Sequence, residues 1–464
     1  MFTTLYIRQI QEYLYGMRFR VALVITVLVF SIGSVSFVNS LKDTQDKYAE
    51  YNKSVHEKIA SLASNISRVA TMRVSYIEAP RENSVIADCK ESVMPNRFEY
   101  SAYNVFGFSI RHDSNNPLMK RTETLSWSFI FSMFLSFMAL LFSYDAISGE
   151  KESRTLSLVF SNAVSRGAFL LSKLLSIITV VFLMSVIGII ISLLILALSG
   201  KVVIDTSFLL DVCSFICVGL LLIATFSMFG LLSSVITRQS NVSLLISLCF
   251  WLVSAVVIPN TSVFWANKLF PIPSYDEVDR IIQEERFDIN KNAPEGSWSS
   301  NNSKPFYKRH LLRANNQTNL MMCEKRHKDA YYDQMFRQFE QTRMFTIISP
   351  IAQFDYMNEA LQGGGYLRFR KNWDDLHVFQ TQFLQWFKDI DAKDPESPHW
   401  YNPYEDFSTS KKPIEVDQIP QYKEQIASFG QRFQFISNYL AVMIITIAVL
   451  FIFSFVLFRR YDIR

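Results

Sequence analysis

The sequence predicts a polytopic α-helical membrane protein: six transmembrane helices, N- and C-termini cytoplasmic, and a mainly helical extracytoplasmic domain plus a small β element. Three observations carry this. Half of the residues are hydrophobic and only 19% charged, with 40 Phe against 14 Gly, a composition suited to lipid rather than water. Six runs contain no Asp, Glu, Lys or Arg: 21–39, 126–144, 174–200, 212–237, 242–259 and 433–458. Each is long enough to cross a hydrocarbon core of ~30 Å as a helix, and lipid forces every backbone donor and acceptor to find an internal partner, which a helix provides.

The third observation is where the cations fall. Arg8, Arg18 and Arg20 precede the first run; Lys151, Arg154, Arg166 and Lys173 separate the second from the third; Arg238 lies between the fourth and fifth; Arg459, Arg460 and Arg464 follow the last. With six spans all four places share one side, which the positive-inside rule makes cytoplasmic. The net charge of +4 mixes both sides and says nothing about partners. The expected setting is the plasma (inner) membrane of a bacterium.

Taken in order, residues 1–20 are amphipathic, with Phe2, Leu5, Tyr6, Tyr13, Leu14, Met17 and Phe19 among Arg8, Glu12, Arg18 and Arg20. Such a segment suits a cytoplasmic interfacial helix. Transmembrane helix 1 (21–39) is too long, and too poor in a small-residue cleavage site, for a signal peptide. In the extracytoplasmic segment 40–125, Tyr48, Tyr51, Val55, Ile59, Leu62, Ile66 and Val69 recur at helical spacing. This predicts a helix rising out of the first span. From residue 72 to 112, MRVSYIEA and FEYSAYNVFGFSI read as short strands broken by Pro80 and Pro95.

Helix 2 (126–144), a cytoplasmic segment (145–173) and helices 3 (174–200), 4 (212–237) and 5 (242–259) follow, the fifth ending at Pro259. The larger outer segment, 260–432, reads as mainly helical. A long amphipathic run extends over 307–346 and is stopped by Pro350. Beyond Gly363, Gly364 and Gly365 comes a second helix with the stripe Trp373, Leu376, Phe379, Phe383, Trp386, Phe387 and Ile390. Helix 6 (433–458) and a cytoplasmic tail (459–464) complete the chain as given.

The search for catalytic chemistry finds little. GGGYLRFRK lacks the Gly-Lys-Ser/Thr ending of a phosphate loop, and neither a His-Glu-x-x-His pair nor a Gly-x-Ser-x-Gly elbow occurs. Cys323 and His327 share a helix face, but two donors fall short of a metal site. Cofactor-binding and metal residues are therefore expected to be absent, and nucleic acid is not an expected partner. Charges stay near span ends (Asp145, Asp211, Arg238), which disfavours an intramembrane proton or sodium site. Cys89 and Cys323 are the two cysteines outside the spans and form a candidate disulfide in an oxidising compartment; two unrelated thiols remain the alternative.

The segment between the second and third spans is the most informative. DAISGEKE from Asp145, then Thr155-Leu-Ser-Leu and Ser161-Asn-Ala-Val-Ser-Arg166, resembles the cytoplasmic signature of type 2 ATP-binding-cassette (ABC) transporter permeases, D-x-I-S-G-E-[KR]-E-x-G-T-L-x-L-L-L-S-N-P-V-S-R. It departs at Arg154, where Gly is usual, and at Ala163, where Pro is usual. Ser349-Pro350, Phe354 and Leu361-Gln-Gly-Gly-Gly365 resemble, less specifically, a branch with large extracytoplasmic domains.

The resemblance implies a half-transporter that pairs with ATP-binding-cassette ATPase subunits and a second permease, identical or related. ATP and Mg would be bound by the partner subunit, so the chain itself is not expected to be an enzyme. The coupling residues would be Asp145, Ser148, Gly149, Glu150, Glu152, Arg154, Thr155, Leu156, Asn162, Ser165 and Arg166. Asp145 and Ser148 could cap a short helix whose first turn holds the acidic residues. The expected function is exporter-type permease; the alternative is an ATP-driven mechanical transmitter acting on an extracytoplasmic envelope partner without moving cargo.

Overall fold

The computed structural model describes residues 2–64, 66–88, 94–109, 125–161, 164–295, 306–393 and 415–461. The amphipathic start folds as α1 (Phe2–Tyr15), which turns at Gly16 into α2 (Met17–Leu62). α1 runs antiparallel along the third span: Ser176 Oγ donates to Gln9 Oε1 at 3.2 Å, and Tyr6 OH meets Thr179 Oγ1 at 2.8 Å. The three-residue step is the same on both helices, so α1 climbs beside the bundle instead of crossing beneath it.

α2 is one helix of 46 residues, roughly 70 Å long at 1.5 Å per residue. The first span therefore continues without a break well beyond the apolar run. The apolar stripe predicted to follow it divides at the helix end. Ile59 on α2 and Val69 on α3 (Ile66–Thr71) are both buried.

The predicted β element is an antiparallel sheet of β1 (Val74–Ile77), β2 (Arg97–Tyr100) and β3 (Val105–Ser109), in the order β1-β2-β3. Val74 pairs with Tyr100 and Arg97 with Ser109, with an irregularity at Glu99/Tyr100.

The second span is built from α4 (Trp127–Phe129), a widened π turn (Ile130–Leu135) and α5 (Ser136–Ser143), and it leads into α6 (Ser148–Glu152) and α7 (Leu156–Phe160). α8 (Arg166–Ser199) and α9 (Thr206–Ile236) are the third and fourth spans. The fifth comprises α10 (Ser240–Leu252), a second π turn (Val253–Val257) and α11 (Ile258–Leu269).

The helix of the fifth span thus does not stop at Pro259, as the sequence suggested. A proline ring collides with the carbonyl four residues back, and here that residue, Ala255, lies in the widened turn, which absorbs the conflict.

α12 (Tyr275–Lys291), α13 (Phe306–Thr346), α14 (Pro350–Leu361) and α15 (Gly365–Asp391) follow, and α16 (Phe429–Arg460) is the sixth span. Among the described residues six helices are long and apolar enough to cross a membrane. Local chemistry sets their ends. Asp205 and Ser274 accept from the backbone N–H three residues on, Ser428 and Gln431 form a capping box, and Gly200 closes α8 at φ +64°.

The described residues form two cores. The first lies among the spans, and its inter-helix distances depend on glycine: a Cβ at Gly188 would come within 2.5 Å of the Phe30 ring. The second is aromatic and lies away from the spans. The sheet packs on α15 through Phe98 and Phe369 (centroids 5.6 Å apart) and through Phe108 and Trp373 (5.4 Å). Of the predicted α15 stripe, Trp373, Leu376, Phe383 and Phe387 are buried.

α14 joins the cores. The sequence reading took Pro350 as the end of the preceding helix, but Ser349 and Pro350 also start a new one. The Ser349 hydroxyl accepts from Ala352 N, with proline in the first turn. Nearly all of α14 is buried, wedged among the second, fourth, fifth and sixth spans.

Candidate functional site

Two short helices close the segment between the second and third spans, and most of its charged residues have a distinct structural task. The Asp145 carboxylate meets Arg18 at the start of α2, at 2.5 Å. Glu150 meets Lys173 of α8 at 2.6 Å, with both side chains largely covered. Lys151 reaches the C-terminal end of α9, where its ammonium donates to the carbonyls of Ser234 (3.2 Å), Val235 (2.5 Å) and Thr237 (2.9 Å). Those carbonyls lack helical partners, and a cation there also suits the helix dipole. Glu152 performs the opposite service one turn later, accepting from Ser240 N at 3.2 Å where α10 begins.

Ser234 completes the seam. Its hydroxyl accepts from the backbone N–H of Ile147 (2.9 Å) and Ser148 (2.8 Å) and donates to Ser148 Oγ (3.1 Å). Arg166 donates from Nη1 to the carbonyls of Phe458 (3.0 Å), Arg459 (2.5 Å) and Tyr461 (2.9 Å) at the end of α16. The segment is therefore tied to the ends of all six spans: its own two, and α2, α9, α10 and α16.

This differs from the local picture drawn from sequence. Asp145 and Ser148 do not cap α6 with their side chains; Ile147 precedes the helix, and Ser148 Oγ instead donates to Tyr144 O. The carboxylates and Arg166 bond neighbouring spans, Glu152 doing so while itself exposed. Gly149 has room at its Cβ position, 3.8 Å from both Asp145 Cβ and Ser240 Oγ. Ser165 caps α8, and Leu156 is buried. Asn162 and Ala163 lie outside the described residues.

Arg154 adopts a left-handed backbone (φ +59°), among the described non-glycine residues the one that does so. Glycine takes this conformation without steric cost, which explains why the related signature carries Gly there. The edge from Ser153 to Ser161 faces outward, through Ser153, Arg154, Thr155, Ser157, Leu158 (67% exposed) and Ser161. A family model described as ABC-2 family transporter protein matches residues 10–463.

The chain belongs to the ABC-2 transporter family. Six membrane-length helices and this membership make it a multi-pass membrane protein of the permease type. Comparison with curated proteins gives no match.

In this ABC-2 protein a second region joins spans to the distal core, and the sequence reading missed it. Ser128 and Ser132 of the second span donate to Asp355 Oδ1 of α14, at 3.2 and 2.7 Å. Ser349 Oγ donates to Ser254 O of the fifth span at 2.7 Å. Both π turns, a geometry frequent at functional sites, therefore lie against the same wedge. Its far end is held by Arg432, which donates to Leu361 O and pairs with Asp211 at 3.2 Å. The Ser-Pro pair before residue 351 is the available signal: it resembles a family pattern and stops the preceding helix, and it is also a helix-start signature.

Further out, Arg368 donates to both oxygens of Glu424 (2.6 and 2.7 Å), and Arg81 adds a third contact at 3.1 Å. Burial pushes the Glu424 carboxyl up. The Arg368 hydrogen bonds, the charges of Arg368 and Arg81, and the Tyr76 hydroxyl more than offset that, holding it down at about 2. Cys89 lies outside the described residues, while Cys323 is buried between α12 and α13.

Proposed function

We propose that this chain is the exporter-type permease subunit of an ABC transporter, coupling ATP hydrolysis in a separate subunit to movement of a substrate. The observation that carries the reading is the tethering of segment 145–166 to the ends of all six spans beneath an outward-facing edge. A push on that edge by a closing ATPase dimer would reach the spans through short, stiff ion pairs and capped helix ends. Two such permeases, identical or related, would face each other across the membrane. ATP and Mg would reside in the ATPase subunits.

In this reading segment 145–173 and both termini are cytoplasmic, in a bacterial plasma membrane. α12, α13 and α15 with the sheet form the extracytoplasmic domain. Motion of the second and fifth spans would reach that domain through α14, where both π turns abut it.

One observation also favours mechanical transmission to an outer partner: α2 is continuous from the segment's Asp145–Arg18 contact to the distal core. Cargo crosslinks inside the spans support transport; crosslinks confined to an outer partner support transmission.

The test of coupling uses the exposed edge, since changing Glu150 or Glu152 would also loosen the bundle. Arg154→Glu with Leu158→Asp should abolish co-purification of an ATPase subunit in mild detergent while leaving a monodisperse, folded chain. Retained ATPase in the double variant would sink this docking edge.

A further inference from the structure

α12 and α13 lie side by side, and their facing surfaces bring together three donors of different chemistry. Cys323 and His327 are four residues apart on α13 and so share one face. Glu285 approaches that face from α12. One ligand atom from each lies within 4.8 Å of the others, and His327 Nε2 is 2.5 Å from Glu285 Oε2. Arg326 occupies the other Glu285 oxygen, fixing the carboxylate's orientation.

We infer that Glu285, Cys323 and His327 form a zinc-class site that clips α12 to α13. A thiolate, an imidazole and one carboxylate oxygen are the donor set zinc takes, whereas calcium and magnesium select oxygen donors. With Zn–ligand distances of about 2.0–2.3 Å, tetrahedral ligands stand roughly 3.3–3.8 Å apart, so the His327–Glu285 pair opens while the longest of the three separations closes for all to reach one ion. Binding replaces the His327–Glu285 hydrogen bond with two bonds to the metal, leaves the neutral imidazole's proton on Nδ1 and releases the thiol proton to solvent. Arg326 then serves as the outer partner that holds the ligating carboxylate.

A cleft of about 460 Å³ adjoins the Glu285 side of the cluster, and its polar wall includes Asp288, Asn292, Asn316 and Asn319. Asn316 is buried and bonds Asn290 at 3.3 Å. A water, or a carboxylate or imidazole of an incoming molecule, would complete the four-coordinate set that zinc takes.

The probe is zinc chloride alone, added to the tag-free full chain in detergent after chelator treatment. Bound metal is counted after gel filtration, and unfolding temperature is read with and without zinc. The expected result is one zinc per chain and an upward shift in Tm, both lost in His327→Ala and in Cys323→Ser. His327 is partly exposed, so its variant folds even if the buried Cys323 position is less tolerant. Cobalt loading gives an independent readout: a thiolate-to-cobalt absorption present in wild type and absent in Cys323→Ser. Absence of retained zinc in wild type, or wild-type stoichiometry in His327→Ala, overturns the site.

Discussion

The Lys151 ammonium lies 2.9 Å from the Thr237 carbonyl, so a residue of the short α6 closes the end of the fourth span. The same ammonium stands 4.6 Å above the Tyr461 ring at the end of the sixth. Lys151→Met would keep the aliphatic stem and remove the donor, leaving carbonyls of a helix end unpaired. The expected cost is roughly 1–3 kcal/mol, read as a fall in unfolding midpoint in detergent. An unchanged midpoint would show that solvent or lipid headgroups replace the cap.

Two ion pairs hold the same segment, and burial ranks them. Arg18 is well exposed in its pair with Asp145, whereas Lys173 and Glu150 are largely covered. Arg18→Met should cost no more than about 1 kcal/mol. Lys173→Met leaves a covered carboxylate unpaired and should cost roughly 3–5 kcal/mol. Adding Glu150→Gln to Lys173→Met should recover most of the loss. Equal effects of the two single changes in a denaturant titration would contradict this ranking.

Glu424 predicts an acid-dependent weakening of the distal core. Its carboxyl is held at about 2 against an ordinary value of 4.5. A depressed carboxylate contributes stability that is fully present above its unfolded value and is lost as pH falls through the folded one. The contribution, about 3 kcal/mol at 1.36 kcal/mol per pH unit, should therefore fade between pH 4.5 and 2. Glu424→Gln should be markedly less stable than wild type at pH 7, and the gap should narrow through that window. A gap independent of pH would mean the variant acts through packing alone.

Close approach of the second and fourth spans depends on Gly230, where a Cβ would overlap the Ser143 side chain. Gly230→Ala should destabilise by roughly 1–3 kcal/mol through overpacking. Ser143 donates to its own helix backbone at Ala139 O and Leu140 O, so removing its hydroxyl costs little. The Gly230→Ala/Ser143→Ala double variant should accordingly recover part of the loss. No recovery would place the conflict in the helix backbones themselves.

Much of this is legible in the sequence itself. Uncharged runs of membrane length located all six spans because lipid leaves a helix as the one open solution for a single segment. The alternation around residues 74–77 and 97–109 marked the strands, and helical spacing marked α15. α12, α14 and the persistence of the fifth span through Pro259 were not read. α12 carries its own start signal in Ser274 and its acidic first turn, while the fifth span's persistence and the burial of α14 each depend on a compensation that the local pattern does not display. For Pro259 it is a widened turn; for α14 it is a pocket among four spans that accepts Gln353, Asn358 and Glu359 in a buried helix.

The sequence by itself determined that the chain spans a membrane, how many helices it uses and which segment between them is distinctive, because hydrophobic runs and a contiguous motif are properties of neighbours along the chain. The tertiary structure alone decided what the charged residues of that segment do. Asp145, Glu150, Lys151, Glu152 and Arg166 meet partners drawn from α2, α8, α9, α10 and α16. Partners so distant in sequence are chosen by packing, since a charge at a bundle end settles wherever an opposite charge or an unpaired helix terminus lies within reach.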